Sequence, residues 1–322
     1  MKRTAIAPAN IALIKYWGKK DAGLRIPTNS SISMNLSGAY TTTTVEFSDN
    51  YNCDTVTFLG EDFSEEEKQK VIIHLDRIRK IANSSLYARV LTKNSFPRGA
   101  GIASSASGFA ALTIAACAAI SLSLSEKELT VVARLGSGSA CRSIPNGFVK
   151  WVTGDTSQQS IAYTLYPATY WDLRDIVVII DSGQKKVSTT NGMESVSTSP
   201  LWPDRLSSMN ERMLTIERAL ASKNFVLFGE TIEEECLNMH NIMQTQIPPL
   251  MYWTDETRKM MKSVQTWRKS GLPVYFTIDA GPNIHLFCEA KDEALLAEKL
   301  KGYHTIVNGP SEGAYIAEED LF

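Results

Sequence analysis

Four short segments, far apart in the chain, carry residue types suited to moving a phosphoryl group onto an anionic small molecule. They are Asn10-Ile-Ala-Leu-Ile-Lys15-Tyr-Trp-Gly-Lys19, Pro97-Arg-Gly-Ala-Gly101-Ile-Ala-Ser-Ser105-Ala-Ser-Gly108, Gly136-Ser-Gly-Ser-Ala-Cys-Arg142-Ser and Thr277-Ile-Asp279-Ala-Gly-Pro-Asn283. In the second, Gly99 and Gly101 free the backbone, and Ser104 and Ser105 stand where a helix begins. The unpaired N–H groups and partial positive charge of a helix start, with flanking hydroxyls, make a seat for a triphosphate. No Gly-Lys-Ser/Thr closes the segment as in a Walker loop, and Ser104 takes the third glycine position of the dinucleotide fingerprint. Alone it reads at least as well as a glycine-rich strand-to-helix turn.

The third segment places Ser137, Ser139 and Arg142 in one loop of small residues. An anion can approach such a loop closely, and a guanidinium grips a carboxylate with a two-pronged fork. Taken alone, a flexible turn with a surface arginine is the better reading. Asp279 ends the apolar run Val274 to Ile278 and precedes Ala-Gly-Pro, so turn initiation is its default role. Its chemical role would be to accept a hydroxyl proton while the alkoxide attacks phosphorus. Lys15 and Lys19 lie one turn apart if their segment is helical and point to one side if it is extended. A solvated basic loop is the alternative, which the adjacent Tyr16 and Trp17 weaken because large aromatics are seldom wholly exposed.

The elements that must position these groups fit in a chain of 322 residues, enough for about two domains. A composition 43% hydrophobic and 21% charged, with a net charge of -2, offers no field for a nucleic-acid backbone. Local cations at Lys15, Lys19 and Lys20 and at Lys185 and Lys186 can still meet a small anion. The five cysteines are scattered without a CxxC pair, and His74, His240, His285 and His304 lack ligand spacing, so no protein-bound metal is expected. Pro8, Asn10 and Lys15 interrupt any signal-like start, and Phe109 to Leu124 is too short to span a bilayer. A cytoplasmic location, with no membrane partner, is expected.

Tyr40 to Phe47 and Asp54 to Leu59 read as strands, joined most simply as a hairpin through Ser48-Asp-Asn-Tyr-Asn52. Ser64-Glu-Glu-Glu67 is a capping box that opens a helix to about Ala82. An alanine-rich helix follows from about Ser105 to Ser121, and a third from Ser125 to Leu135. Ile176 to Ile180 reads as a strand buried on both faces, with a domain boundary just before it. Beyond it, helices over Arg205 to Lys223, Phe225 to Met243 and Asp255 to Ser270 precede or alternate with strands over Val274 to Ile278, His285 to Phe287 and Thr305 to Val307. The pattern predicts a compact α+β second half.

The segments, together with Pro27-Thr-Asn-Ser-Ser-Ile-Ser33 and Val187-Ser-Thr-Thr-Asn-Gly-Met193, resemble the mevalonate diphosphate decarboxylases of the GHMP kinase superfamily. Lys-Tyr-Trp-Gly-Lys, Gly-Ser-Ala-Cys-Arg and Asp-Ala-Gly-Pro-Asn are the specific parts, and the likeness covers most of the chain. It implies an α+β fold of two domains, residues 1–174 resembling ribosomal protein S5 and residues 175–322 ferredoxin-like, with the active cleft between them. The implied reaction uses ATP, with magnesium carried by the nucleotide, to phosphorylate the 3-hydroxyl of a 5-phosphorylated mevalonate. Phosphate and carbon dioxide then leave. By the same resemblance, Asp279 is the base or hydroxyl-positioning group, Arg142 holds the substrate carboxylate with Asn10 behind it, and Lys15 stabilises charge near the reacting hydroxyl. Tyr16, Lys19, Ser137, Ser139, Ser188 and Thr189 contact the substrate phosphate or hydroxyls. Gly99, Gly101, Ala103, Ser104 and Ser105 cradle ATP, and the protein is a homodimer.

One departure bears on the substrate. Where diphosphate-using members carry an arginine early in the helix after the first strands, this chain offers Lys68 or Lys70. A lysine lacks the fork that suits two phosphates, so the residues leave both the 5-diphosphate and the 5-monophosphate open. A small-molecule kinase of the same superfamily, such as a mevalonate 3-kinase, and a non-catalytic nucleotide-binding scaffold are the competing classes. A simple kinase has no need of a group that grips a leaving carboxylate.

Overall fold

The structure, a computed structural model, describes residues 1–60, 63–97, 102, 104–181 and 192–322. The first half supplies β1 (Lys2–Ile14), β2 (Lys19–Asp21), β3 (Ile26–Pro27), β4 (Ser31–Ser48), β5 (Thr55–Phe58), α1 (Glu65–Ala82), β6 (Tyr87–Asn94), α2 (Ser104–Ala119), α3 (Glu126–Gly136), a 3₁₀ turn (Gly138–Ser143), β7 (Phe148–Trp151) and β8 (Ala162–Tyr166). The second supplies β9 (Leu173–Ile179), α4 (Trp202–Ser222), α5 (Phe225–Thr245), α6 (Asp255–Lys269), β10 (Tyr275–Thr277), β11 (Ile284–Glu289), α7 (Glu293–Lys299), β12 (His304–Asn308) and β13 (Tyr315–Ala317).

The long antiparallel pair of β1 and β4 is the spine of the first sheet, whose strands run in the order β13-β1-β4-β6-β5, with β7 also beside β4 and β8 beside β7. The threonine run of β4 is buried, and its hydroxyls find partners: Thr41 with Ser107 at 2.6 Å and Thr43 with Thr92 at 2.8 Å. The expected hairpin does not form. Strand β6 lies between β4 and β5, and β5 pairs with β6 in parallel. A parallel pair needs a crossover, and α1 supplies it. Its capping box at Ser64 and Glu67 starts it, and its buried Leu75 and Ile78 pack in the same core as Leu112 and Ala115 of α2. That shared core outweighs the nearness in sequence that suggested the hairpin.

Helix α3 ends at Gly136, where a side chain has no room, since a Cβ would lie 2.3 Å from the Phe109 ring. In the second half the strands run β10-β11-β9-β12, all pairings antiparallel, in the split β-α-β-β-α-β arrangement. Strand β9 is buried on both faces, Val177 in one apolar cluster and Ile176 and Val178 in another. It starts at Leu173, so a cut between residues 174 and 175 falls inside a strand. The chain end also returns to the first half, where β13 pairs with β1, Thr4 opposite Ala317. No helix among the described residues is long and apolar enough to cross a membrane.

Candidate active site

The site forms where β1 runs out beside the end of β10. After Ile14 the chain is extended, and Lys15 is buried, with only 1% of its side chain exposed. Its backbone N–H donates to Glu235 Oε1 at 3.1 Å, and its carbonyl accepts from Asn29 Nδ2 at 3.1 Å. The ammonium Nζ donates to Asp279 Oδ1 at 2.6 Å. A solvated basic loop is therefore not what the chain forms here.

Asp279 takes its place from the strand behind it. The Ile278 N–H donates to Cys236 Sγ at 3.2 Å, and the Asp279 carbonyl accepts the Gly281 N–H at 2.8 Å. The turn role and the chemical role thus coexist, one in the backbone and one in the side chain. Burial pushes the Asp279 carboxyl upward, but Lys15, through charge and hydrogen bond, and then His285 and Arg142 outweigh it and hold it below the usual carboxylate range. It stands ionised as a hydrogen-bond acceptor.

Arg142 is delivered by the 3₁₀ turn and is only 3% exposed. Its Nη1 donates to Ser31 Oγ at 2.7 Å, and Nε and Nη2 donate to Asn10 Oδ1 at 3.3 and 3.2 Å. Asn10 is fixed in turn, with Nδ2 donating to Ser143 Oγ at 2.8 Å and to the Ser139 carbonyl at 3.2 Å. Among the described residues no carboxylate pairs with this guanidinium. Burial lowers its pKa, although Asp279 is near enough to oppose that shift, and a guanidinium keeps its charge in any case. A buried, oriented, unpaired fork is built to receive an anion.

Tyr16 packs edge-on against Trp151, ring centres 4.6 Å apart, and its buried hydroxyl has no hydrogen-bond partner. Burial pushes its pKa up to about 12, so it remains a donor. Gly138 permits this approach, because a Cβ there would come within 2.6 Å of the ring. Lys19, in β2, is half-exposed, and burial followed by the nearby Arg25 lowers its pKa. Ser137 Oγ lies 3.2 Å from Ser105 Oγ, which joins the loop of the third segment to the start of α2. Ser104 and Ser105 open α2 as expected.

A cavity of about 200 Å³ extends from those serines between α1 and α2, lined by Phe58, Phe63, Lys70, Phe109, Ser104 and Ser105 among others. The sequence carries no motif for it. Lys68 and Lys70 pair with Glu65 and Glu66 at 2.6 and 2.7 Å, and Lys70 also lines this cavity. The structure thus groups Asn10, Lys15, Tyr16, Ser139, Arg142 and Asp279, and places Lys70, Ser104 and Ser105 on the wall of one cavity. Gly99, Gly101, Ala103, Ser188 and Thr189, like Lys185 and Lys186, lie outside the described residues. Sequence reasoning missed Ser31, Asn29, Glu235 and Cys236 as supports. The first two stand in the Pro27 to Ser33 stretch, which was the available signal. Among the described residues no group of three or more His, Cys, Asp or Glu is arranged to hold a metal ion.

Comparison with known proteins agrees with this geometry. Residues 7–162 match the model of the diphosphomevalonate decarboxylase-like N-terminal domain, and residues 175–319 that of the mevalonate 5-diphosphate decarboxylase C-terminal domain. The diphosphomevalonate decarboxylase mvd1 of Aspergillus fumigatus is 36% identical over 93% of this chain and 80% of its own. The mevalonate diphosphate decarboxylase structure from Staphylococcus aureus is 38% identical, covers 98% of each chain and superposes with a TM-score of 0.94. A further chain, MDDEF, solved in complex with MVAPP, AMPPCP and magnesium, is 37% identical with a TM-score of 0.93 over 99% of each chain. The two-domain α+β architecture is therefore the GHMP kinase fold of these decarboxylases.

Proposed function

The chain belongs to the diphosphomevalonate decarboxylase family, and we propose that it converts mevalonate 5-diphosphate and ATP to isopentenyl diphosphate, ADP, phosphate and carbon dioxide. The observation that carries this reading is the buried Arg142 fork, held by Asn10 and Ser31 and free of any described carboxylate, beside the Lys15 and Asp279 pair. The fork receives the substrate carboxylate. Asp279 then accepts a hydrogen bond from the 3-hydroxyl and, because its pKa is low, orients that group and takes its proton only as phosphorus–oxygen bonding develops. Lys15 offsets the charge of the nascent alkoxide. ATP, with its magnesium ion, enters as substrate, its phosphates at the α2 start and its nucleoside end in the adjoining cavity. Once the 3-phosphate leaves, the fixed carboxylate holds the breaking C–C bond in line for loss of carbon dioxide.

Names of the relatives favour the diphosphate over the monophosphate. The same reading includes a cytoplasmic homodimer, to be checked by light scattering, and a division near residues 174 and 175, which the start of β9 at Leu173 shifts just upstream, to be checked by limited proteolysis. The direct test is ATP-dependent carbon dioxide release with mevalonate, its 5-monophosphate and its 5-diphosphate in parallel. A higher kcat/KM for the diphosphate is expected. Preference for the monophosphate would move the product to isopentenyl phosphate, ADP without carbon dioxide would make the protein a kinase, and no turnover would leave a scaffold.

A further inference from the structure

Three cations gather beside the carboxyl end of α3 without forming an ion pair to a described carboxylate. Arg25 Nε donates to the Leu135 carbonyl at 3.1 Å, and Arg77 Nη1 donates to the same oxygen at 3.0 Å. Two donors on one acceptor stand no more than about 6 Å apart, so two guanidinium groups are held side by side. Lys19 lies close by: burial and then the charge of Arg25 lower its pKa, with Glu194 opposing, and Arg77 is lowered by burial and Arg25 in the same way. Among the described residues none of the three pairs with a carboxylate. Elsewhere part-buried arginines do, as Arg79 does with Asp54 and Arg174 with Glu293.

Two more observations point into the cluster. The Tyr16 hydroxyl is buried and unpartnered, and Arg25 is the largest charge acting on it. Arg25 itself adopts φ of +53°, a left-handed conformation uncommon for a residue with a side chain. Leu135 lies two residues before Ser137, which ties the cluster to the substrate loop. Capping of the α3 carboxyl end accounts for one cation. It does not account for two on one oxygen, a third beside them and an orphaned hydroxyl.

We propose that Arg25 and Arg77, with Lys19 and the Tyr16 hydroxyl, seat the terminal phosphate of the substrate's diphosphate and set the preference for diphosphate over monophosphate. This rests on the decarboxylase reading above. Fork-shaped donors suit a second phosphate, and they supply what Lys68 and Lys70, each tied to a glutamate, do not.

The test compares wild type, Arg25→Gln, Arg77→Gln and the double variant. The diphosphate-to-monophosphate ratio of kcat/KM should fall about 10-fold in each single variant and about 100-fold in the double, through KM for the diphosphate. An unchanged ratio, including equal losses on both substrates, would overturn the proposal and leave a capping role. Calorimetric binding of inorganic pyrophosphate gives a readout independent of turnover, with Kd expected to rise about 10-fold or more in the double variant. Equal binding to both proteins would sink the inference, whereas a wild type that releases no carbon dioxide would sink the decarboxylase reading instead. Should a glutamine variant lose its cooperative melting transition, Arg25→Lys and Arg77→Lys keep charge without the fork, and the ratio should still fall about threefold.

Discussion

Cations around the second sheet and cations around Tyr16 are treated in opposite ways. Around the second sheet, Arg174, Arg205, Arg212 and Arg268 each face a carboxylate: Glu293, Glu235, Glu234 with Glu235, and Glu233. Around Tyr16, none of Lys19, Arg25, Arg77, Arg134 and Arg142 forms an ion pair with a described carboxylate, although Glu194 and Asp279 lie near enough to act on Lys19 and Arg142. Arg134 spends its donors on the Leu24, Ser157 and Ser160 carbonyls and is structural. The others keep charge that the fold does not neutralise. Paired cations hold the second half together, whereas unpaired ones form a positive pocket for an anionic substrate, and the Lys15 and Asp279 pair joins the two regimes.

The contrast can be tested by removing charge on each side. Asp279→Asn should have the largest effect, lowering kcat by about 10³-fold or more while calorimetry shows nucleotide and substrate still bound. An essentially active variant would take Asp279 out of the mechanism. Next in size, Arg205→Met leaves Glu235 buried with one fewer partner and should cost about 3 kcal/mol in denaturant unfolding, since breaking a buried pair strands a charge. Were its unfolding midpoint unchanged, the paired cations would not be the structural class.

Arg142→Lys keeps the charge and loses the fork, so kcat/KM should fall about 100-fold with no comparable loss of melting temperature. Wild-type kinetics would contradict its carboxylate contact. The smallest effect separates burial from pairing. Burial, then Arg77 and Arg25, hold His74 down to about 3, and burial, then Lys15, does the same for His240. Unfolded histidine binds its proton near 6.5, so the unfolded state takes up more protons below that pH and stability must fall as the solution is acidified. Each histidine should contribute a slope of up to about 1.4 kcal/mol per pH unit between 6.5 and its folded pKa. Unfolding measured from pH 7 to 5 checks this, and His74→Gln should flatten the slope, an unaltered slope counting against a neutral buried His74.

Much of the site was legible because its signals are local. The capping box at Ser64, the helix start at Ser125, the serines opening α2, and Asp279 before Ala-Gly-Pro are statements about neighbouring residues, and the structure keeps them. The hairpin of β4 and β5 failed because adjacency in sequence does not say which strand β6 will choose. Arg25 was illegible for the same reason. It lies between Leu24 and Ile26 in a short turn, and no residue type there points to a carbonyl 110 residues away.

Residue types and spacing by themselves determined the class of chemistry here: a helix start fit for phosphate, a fork, two lysines and a carboxylate, in segments specific to one family. Only the tertiary structure decided which of them meet, and in what state. Lys15 is buried against Asp279 because Glu235 and Asn29, from distant segments, hold its backbone there. Arg142 waits unpaired because Asn10 and Ser31 orient it without neutralising it. Charge, burial and partner are properties of a place in space, and a chain acquires them only when its distant segments pack.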